Sequence, residues 1–359
     1  MSKINLIVLF GGVSTEHDVS CVSAASILRN CSKEKYNIYP VGITSDGRWF
    51  YFESDQYDLV ENGAWEQADC LSPAIISPDR ATHGLLVIRE SGVETIHADC
   101  VFPVLHGING EDGTMQGLME LAHIPYCGPG VAASANSMDK SLTKQLISRT
   151  DVRQAAYYLA LRHEFDKNPE RVALEAEQEV GRYPLFVKPC STGSSVGVFK
   201  VTDTASLIEG LRSAFQYDEK VLVEEFIDGR EIEVAVMGNE EPVASIAGEI
   251  APEQEFYSYD AKYVDNSTAL YIPARISDEA MERVREAAIT VYRTLGCKGL
   301  SRVDFFCSRR SGAIVFNEIN TLPGFTSISM YPKLFAHCGI PYSELIDRLV
   351  AFAMERYHD

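Results

Sequence analysis

Residues 301–320 read S-R-V-D-F-F-C-S-R-R-S-G-A-I-V-F-N-E-I-N, and this stretch is the most informative part of the chain for predicting the fold. Two apolar segments flank a short polar turn that contains glycine, which is the pattern of a β-hairpin. We place one strand at Arg302 to Cys307, the other at Ala313 to Asn320, and the centre of the turn at Ser311. This register decides which side chains share a face, because successive side chains of a strand point to opposite faces of the sheet.

In this register the polar side chains of the hairpin form a row on one face. Asp304 faces Glu318 and Arg302 faces Asn320, with directly opposed Cβ atoms about 4.5–5.5 Å apart. Opposed carboxylates repel each other, and oxygen ligands of this kind suit a hard ion such as Mg²⁺ or Mn²⁺. The alternative is the solvated face of an edge hairpin, and the pattern alone gives both interpretations similar weight. The strongly apolar remainder of the two strands makes a polar row costly there and favours the metal site.

A small-residue loop, C-S-T-G-S-S-V-G at Cys190 to Gly197, lies between two strand-like segments and is called the serine loop below. It is predicted to be the tip of a second hairpin. Glycine N–H groups and serine hydroxyls can converge on a phosphate, although loops of this composition are more often inert. The chain has no Walker A motif. Positive charge for an anionic ligand would come from three lysines, each of which alone is typical of a protein surface. These are Lys140, Lys188 and Lys262.

The order of strand and helix signals predicts an α/β (α+β) protein with three parts. Ile4 to Phe10 has the pattern of a buried strand, and a glycine pair and a helical face follow it. Similar alternation through the first third favours a parallel sheet flanked by helices. The predicted domains are residues 1–137, 138–228 and 229–359. The last domain contains a long irregular stretch, residues 251–270 with Y-S-Y-D-A-K-Y, and loops of that length are usually functional or disordered.

The composition excludes several classes of protein. With 359 residues, 46% of them hydrophobic and 23% charged, the chain is expected to fold into several domains. A formal charge of −19 repels phosphate backbones and anionic lipid, so nucleic acid and membrane surfaces are not expected as partners. The nine cysteines form no C-x-x-C pair, and no apolar run reaches the roughly 18 residues that span a bilayer. We therefore expect a cytoplasmic protein with buried thiols.

Several long motifs occur along this chain in the same order as in a known protein family. The sequence resembles the D-alanine:D-alanine ligases of the ATP-grasp superfamily, and also the related D-alanine:D-serine ligases of vancomycin resistance. The resemblance covers essentially the whole chain. Its main motifs are L-F-G-G-V-S-T-E-H-D-V-S, F-P-V-L-H-G-I-N-G-E-D-G-T-M-Q-G-L-M-E, M-D-K, F-V-K-P-C-S-T-G-S-S-V-G-V, V-E-E-F-I-D-G-R-E, Y-D-A-K-Y, S-R-V-D-F and N-E-I-N-T-L-P-G-F-T-S-I-S.

The resemblance implies an ATP-grasp fold and an activity. The three predicted domains would be an amino-terminal Rossmann-like α/β domain, a central lid domain and a carboxy-terminal catalytic domain, with ATP between the last two. The implied reaction joins two D-alanine molecules through an acyl phosphate, for peptidoglycan synthesis, and the family also implies a homodimer. One alternative is a D-alanine:D-serine ligase. Another is a nucleotide-binding regulatory protein that has kept the fold.

The resemblance also implies which residues bind ATP and metal ions. The residues expected at the phosphates are Lys140, Lys188, Ser195 and Lys262. The residues expected at the adenine and ribose are Glu224, Glu225, Phe226, Ile227 and Glu231, with Phe226 at a position where relatives commonly carry tryptophan. Two Mg²⁺ or Mn²⁺ ions are expected on Asp304, Glu318 and Asn320, which the hairpin register brings together independently.

The amino acid sites are implied in the same way. Glu16 would bind the ammonium group of the first D-alanine, Ser194 and Tyr263 would complete a hydrogen-bonded trio with it, and His106 would line the same cavity. Without the resemblance, Glu16 at the start of a helix would be explained by the helix dipole alone.

The second amino acid would bind to Arg302, the Gly324 N–H and Ser329, with Met330 beside it. Arg302 and Gly324 would also stabilise the oxyanion of the tetrahedral intermediate. An apolar Met330 favours D-alanine over D-serine, because a pocket without a polar partner gains nothing from a hydroxyl.

Overall fold

Three β-sheets with helices packed around them form the protein. The computed structural model describes residues 2–194, 196–251 and 269–357. The strands of the amino-terminal sheet are β1 (Ile4–Gly11), β2 (Tyr36–Ile43), β3 (Trp49–Phe52), β4 (Leu71–Ile76), β5 (Gly84–Arg89), β6 (Gly92–His97) and β7 (Cys100–Pro103). The helices beside it are α1 (His17–Asn30), α2 (Tyr57–Glu61) and α3 (Thr114–Ala122), with a 3₁₀ turn at Ala64–Gln67.

The amino-terminal sheet is mixed, so the predicted parallel sheet is correct only in part. Its strand order is β6-β5-β4-β3-β2-β1-β7. β1 pairs in parallel with β2 and β7, whereas β2 to β6 follow one another in antiparallel pairs. The antiparallel extension was not predicted from the sequence. In β6 most side chains are exposed, so that strand carries no alternation of buried and exposed residues.

The second sheet has the order β10-β9-β11-β8 and is wholly antiparallel. The helices α4 (Val131–Met138) and α5 (Lys140–Ile147) lead into it. Its elements are β8 (Tyr157–Leu161), α6 (Arg162–Phe165), α7 (Pro169–Val180), β9 (Leu185–Pro189), β10 (Phe199–Val201), α8 (Thr204–Ala214) and β11 (Lys220–Glu225). The predicted hairpin with the serine loop at its tip is present, since β9 and β10 pair with Val187 opposite Phe199.

The third sheet has the order β14-β13-β12-β15-β16. Its elements are β12 (Gly229–Gly238), β13 (Val243–Ala251), β14 (Ala269–Tyr271), α9 (Asp278–Thr294), β15 (Gly299–Ser308), β16 (Ile314–Asn320), α10 (Met330–His337) and α11 (Tyr342–Glu355). Most of the predicted long loop, residues 252–268, lies outside the described residues.

The register of the β15–β16 hairpin is as predicted at its open end and differs near its turn. Arg302 pairs with Asn320 and Asp304 with Glu318, but beyond them Phe305 pairs with Phe316. The register therefore shifts by one residue, which leaves Asn317 as the extra residue of a β-bulge. The predicted centre of the turn at Ser311 is wrong by half a residue for this reason.

A shared core connects the amino-terminal sheet to the last two helices. Phe102 of β7 and Phe325, which precedes α10, pack edge to face with ring centroids 5.9 Å apart. Both rings belong to a cluster that also contains Phe10 and Tyr331, all of them buried. This core holds the loop after β7 against the loop after β16, and the candidate site lies between those loops. None of the helices in the described part of the chain is long and apolar enough to span a membrane.

Candidate active site

The polar face of the β15–β16 hairpin is held by its own ion pairs. Arg302 donates from Nε and Nη2 to the two oxygens of Asp304, at 2.8 and 2.7 Å. Asn320 Nδ2 donates to Asp304 Oδ2 at 2.9 Å. The Arg302 Nε also lies 3.2 Å from Oε2 of Glu233, a buried residue on the neighbouring strand β12. Three side chains of this face, together with Glu233 beside them, are thus fixed by charge-assisted contacts.

The β-bulge connects the hairpin to the second sheet. Lys188, at the end of β9, donates from Nζ to Asn317 Oδ1 at 3.2 Å. The same ammonium lies 2.7 Å from Glu224 Oε2 on β11. Burial opposes the charge of Lys188, but the carboxylates of Glu224, Glu318 and Glu231 outweigh burial and raise the pKa of this lysine. Lys188 therefore carries its charge at the junction of two sheets, where a nucleotide phosphate could meet it.

Glu224 sits between two lysines. Its Oε1 lies 2.7 Å from Nζ of Lys144, a buried residue of α5, and its Oε2 faces Lys188. Burial alone would raise the pKa of Glu224, but the two ammonium groups outweigh it and lower that pKa from 4.5 to about 2. The carboxylate is thus ionised at neutral pH, with both oxygens placed by positive partners.

Glu16, which follows β1 of the amino-terminal sheet, is in contact with the serine loop of the second sheet. Ser194 donates from Oγ to Glu16 Oε1 at 2.5 Å, although the two residues are 178 positions apart. Glu16 is the N-cap residue of α1, yet its side chain makes no capping hydrogen bond. Its carboxylate is held by Ser194 instead, a contact that the helix dipole alone does not explain. Ser194 adopts a left-handed backbone conformation, with φ of 49°, at the tip of the loop.

Lys140 links the serine loop to the hairpin. Its Nζ donates to the Thr192 carbonyl oxygen at 2.7 Å and lies 4.0 Å from Glu318 Oε2. The structure therefore brings together Glu16, Ser194, Lys140, Lys188 and the hairpin face.

His106 lies in the same region and is almost fully buried. Its Nδ1 is 2.9 Å from the Leu322 carbonyl oxygen, and its Nε2 is 3.3 Å from Ser23 Oγ. The carbonyl oxygen can only accept, so Nδ1 carries the proton. Burial lowers the pKa of His106, which keeps the ring neutral.

The remaining predicted residues are placed as follows. Phe226 is partly exposed and stacks on Phe186, with ring centroids 5.9 Å apart and Lys200 Nζ 5.1 Å above its ring. Met330 is buried, and its sulphur lies where a side chain on Gly248 would extend. Gly324 lies close to the Ser329 side chain, since a Cβ at Gly324 would meet its Oγ at 2.8 Å.

Glu225 accepts a hydrogen bond from the Ala156 N–H at 3.2 Å. Ile227 is the second residue after the end of β11, and Glu231 on β12 pairs with Phe306. Ser195, Lys262 and Tyr263 lie outside the described residues.

Three residues of the site had no sequence prediction. Lys144 follows Lys140 by one helical turn, and a second lysine on the buried face of an amphipathic helix is a signal that could have been used. Glu233 is two positions after Glu231, so it shares a face of the strand with it. Asn317 depends on the bulge, for which the sequence carries no recognisable signal.

Comparison with known proteins identifies the family. A family model described as "D-ala D-ala ligase C-terminus" matches residues 146–351, and one described as "D-ala D-ala ligase N-terminus" matches residues 5–129. The chain belongs to the D-alanine–D-alanine ligase family. The D-alanine–D-alanine ligase of Caldicellulosiruptor bescii is 46% identical over 99% of this chain and 96% of its own length.

Solved structures of the family resemble the whole chain. The VanG D-Ala:D-Ser ligase of Enterococcus faecalis has a TM-score of 0.89 and 40% identity, over 98% of this chain and 100% of its own. The D-alanine-D-alanine ligase of Coxiella burnetii has a TM-score of 0.84 and 33% identity, over 99% and 96%. The predicted α/β fold of the ATP-grasp type is confirmed.

The substitution Lys144→Met tests the two-lysine arrangement around Glu224. Removing one partner of a buried charge pair is expected to lower the free energy of unfolding at pH 7 by about 3 kcal/mol, the low end of the usual cost, because Lys188 remains. Ionised Glu224 contributes stability above its unfolded pKa of 4.5, and this contribution is lost as the pH falls toward 2. The difference between wild type and variant should therefore shrink below pH 4.5 in urea unfolding experiments.

The matched control is Lys33→Met, whose partner Asp55 lies 3.6 Å away with both side chains mostly exposed. That substitution is expected to change the free energy of unfolding by less than about 1 kcal/mol. Equal effects of the two substitutions at pH 7 would contradict the arrangement.

Proposed function

We propose that this protein is an ATP-dependent ligase that joins two D-alanine molecules into D-alanyl-D-alanine for peptidoglycan synthesis. The observation that carries the proposal is the meeting of Glu16, the serine loop and the hairpin face through Lys140 and Ser194. An anionic acceptor for an ammonium group thus lies beside cationic groups for phosphates. The D-alanine–D-alanine ligases among the relatives support the choice of substrate.

Glu16 would bind the ammonium group of the first D-alanine. Its Oε1 is oriented by Ser194, and its Oε2 lies beside two glycines, because a Cβ at Gly107 or Gly193 would be 2.6 or 3.0 Å from it. A side chain at either glycine would collide with the carboxylate. Tyr263 would complete this site. The cationic end of the substrate is then fixed, and its carboxylate is left to face the ATP phosphates.

ATP would bind between the second and third sheets. Lys140, Lys188, Ser195 and Lys262 would contact the phosphates, while residues 224–227 and Glu231 would contact the adenine and ribose. In the first step an oxygen of the D-alanine carboxylate attacks the γ-phosphorus, ADP leaves, and an acyl phosphate forms. We also propose the three domains 1–137, 138–228 and 229–359, with residues 138–228 as the central lid domain.

Asp304, Glu318 and Asn320 would hold two Mg²⁺ or Mn²⁺ ions. Among the described residues, no group of three or more His, Cys, Asp and Glu side chains could hold a metal ion. The donor set proposed here instead combines two carboxylates with one amide oxygen, and phosphate oxygens would supply further ligands, as is usual for Mg²⁺. When bound, the ions neutralise charge on the transferring phosphoryl group.

The second D-alanine would bind beside Arg302, Ser329 and Met330. Its neutral amine attacks the acyl carbon, phosphate leaves, and the amine loses a proton as the amide bond forms. The developing oxyanion would be stabilised by the Arg302 guanidinium and the Gly324 N–H. Arg302 is oriented for such a role by Asp304 and Glu233.

D-serine is the second candidate for that position. The likeness to the VanG D-Ala:D-Ser ligase structure supports it. The buried apolar Met330 favours D-alanine. As part of the proposal, the enzyme acts as a homodimer, which sedimentation would test.

Product analysis decides between the two substrates. Purified protein with ATP, Mg²⁺, D-alanine and D-serine is expected to release ADP and to form D-alanyl-D-alanine with an efficiency at least about 10-fold above that for the mixed dipeptide. Mass spectrometry of the dipeptides at equal concentrations of the two amino acids measures the ratio. A higher efficiency for D-alanyl-D-serine would make the protein a D-alanine:D-serine ligase, and no amino acid-dependent ADP release would exclude both.

The substitution Glu318→Gln tests the metal site. Loss of one anionic ligand is expected to weaken Mn²⁺ binding in the presence of ADP by at least about 10-fold, as measured by electron paramagnetic resonance titration. Glu209→Gln, on the exposed face of α8, is the charge-matched control and should leave binding unchanged. Wild-type Mn²⁺ affinity in Glu318→Gln would remove Glu318 from the metal site.

A further inference from the structure

Residues 322–325, called the 322–325 turn below, are held at three points by distant side chains. The Leu322 N–H donates to Glu111 Oε1 at 2.9 Å. The Leu322 carbonyl oxygen accepts from His106 Nδ1 at 2.9 Å. At the other end of the turn, the Phe325 N–H donates to Ser23 Oγ at 3.2 Å. All three side chains come from the amino-terminal part of the chain.

The second oxygen of Glu111 connects the turn to the site of the first substrate. Glu111 Oε2 accepts from the Gly107 N–H at 3.0 Å. Gly107 directly adjoins Glu16, since a Cβ there would lie 2.6 Å from Glu16 Oε2. One carboxylate thus spans from the glycine beside Glu16 to the turn beside the hairpin.

The backbone N–H groups of the 322–325 turn differ in their partners. Proline has no N–H, so the amide donors of the four residues are those of Leu322, Gly324 and Phe325. The outer two are engaged by Glu111 and Ser23. The middle one is the proposed oxyanion donor. The direction of the Gly324 N–H depends on the backbone at Leu322 and Phe325, which Glu111 and Ser23 hold in place.

We propose that Glu111 is a positioning residue for the condensation step, because its two oxygens fix the 322–325 turn to the Gly107 loop and so direct the Gly324 N–H at the oxyanion. This inference rests on the proposed function. An oxyanion donor stabilises a transition state only when it is held at hydrogen-bonding distance from the developing charge. Glu111 supplies that constraint from outside the turn, between the elements that bind the two amino acids.

Only a carboxylate suits both contacts. Two N–H groups donate to Glu111, one to each oxygen. A glutamine has one acceptor oxygen, and its NH₂ group would face the second N–H, donor against donor. Glu111→Gln therefore keeps the size of the side chain and removes one of the two attachments.

Asp112→Asn is the matched control, because Asp112 makes the same kind of double contact within its own loop. Its Oδ2 accepts from the Asn109 N–H at 2.8 Å and its Oδ1 from the Thr114 N–H at 3.0 Å. Neither partner belongs to the 322–325 turn. A general loosening of this loop would thus affect both variants, whereas loss of the attachment to the turn affects only Glu111→Gln.

The experiment measures steady-state kinetics and the affinity for a phosphinate analogue of the tetrahedral intermediate. In Glu111→Gln, kcat and the affinity for the analogue are expected to fall together by about 10- to 100-fold, less than the full loss of an oxyanion donor. The KM for ATP and the affinity for ADP should stay within about 2-fold of wild type, because the Lys188 and Glu224 contacts lie elsewhere. Asp112→Asn should match wild type in all four quantities.

Ser23→Ala provides a second variant if Glu111→Gln does not fold. It removes the acceptor of the Phe325 N–H and should lower kcat and analogue affinity by a smaller factor, again without changing the KM for ATP. Unchanged kcat and analogue affinity in Glu111→Gln, or in Ser23→Ala where Glu111→Gln does not fold, would overturn the role of Glu111. Losses in Asp112→Asn equal to those in Glu111→Gln would overturn it as well. A wild-type protein that forms no dipeptide would instead overturn the proposed function.

Discussion

The structure depends on how a row of charged side chains is accommodated on a strand that otherwise belongs to the core. Val303 and Phe305 are buried on either side of Asp304. A charge at such a position is tolerated only when it is paired and hydrogen-bonded. Arg302 meets this requirement with two parallel hydrogen bonds to Asp304, and Asn320 adds a third. The hairpin is therefore rigid where the chemistry needs defined positions, and a cation on Asp304 must share oxygens that Arg302 already contacts.

The site forms where segments that are distant in sequence meet through similar contacts. Ser194 reaches Glu16, and Lys188 reaches Asn317 across 129 positions. Hydrogen bonds of this kind, with one charged partner, are stronger than those between neutral groups. The geometry consequently exists only when all three sheets are in place. This fits a reaction whose acyl phosphate must be made and consumed in one closed site.

The sequence predicted the parts that follow from local chemistry. Opposition of Asp304 to Glu318 follows from strand alternation and is confirmed. The one-residue shift beyond that pair was not predicted, because a bulge depends on packing between sheets rather than on residue type. Lys144 was missed for a related reason, since its importance comes from Glu224, which lies on another element. The roles assigned to the loop at 251–270 stay predictions.

We propose that metal and nucleotide meet at the polar face of the hairpin, opposite the serine loop. Anomalous scattering from crystals grown with Mn²⁺ and ADP tests it most directly. Mn²⁺ peaks are expected on the side-chain oxygens of Asp304, Glu318 and Asn320, with the ADP phosphates between them and Lys188. Mn²⁺ coordinated away from these three residues, or ADP bound elsewhere in the molecule, would contradict the account.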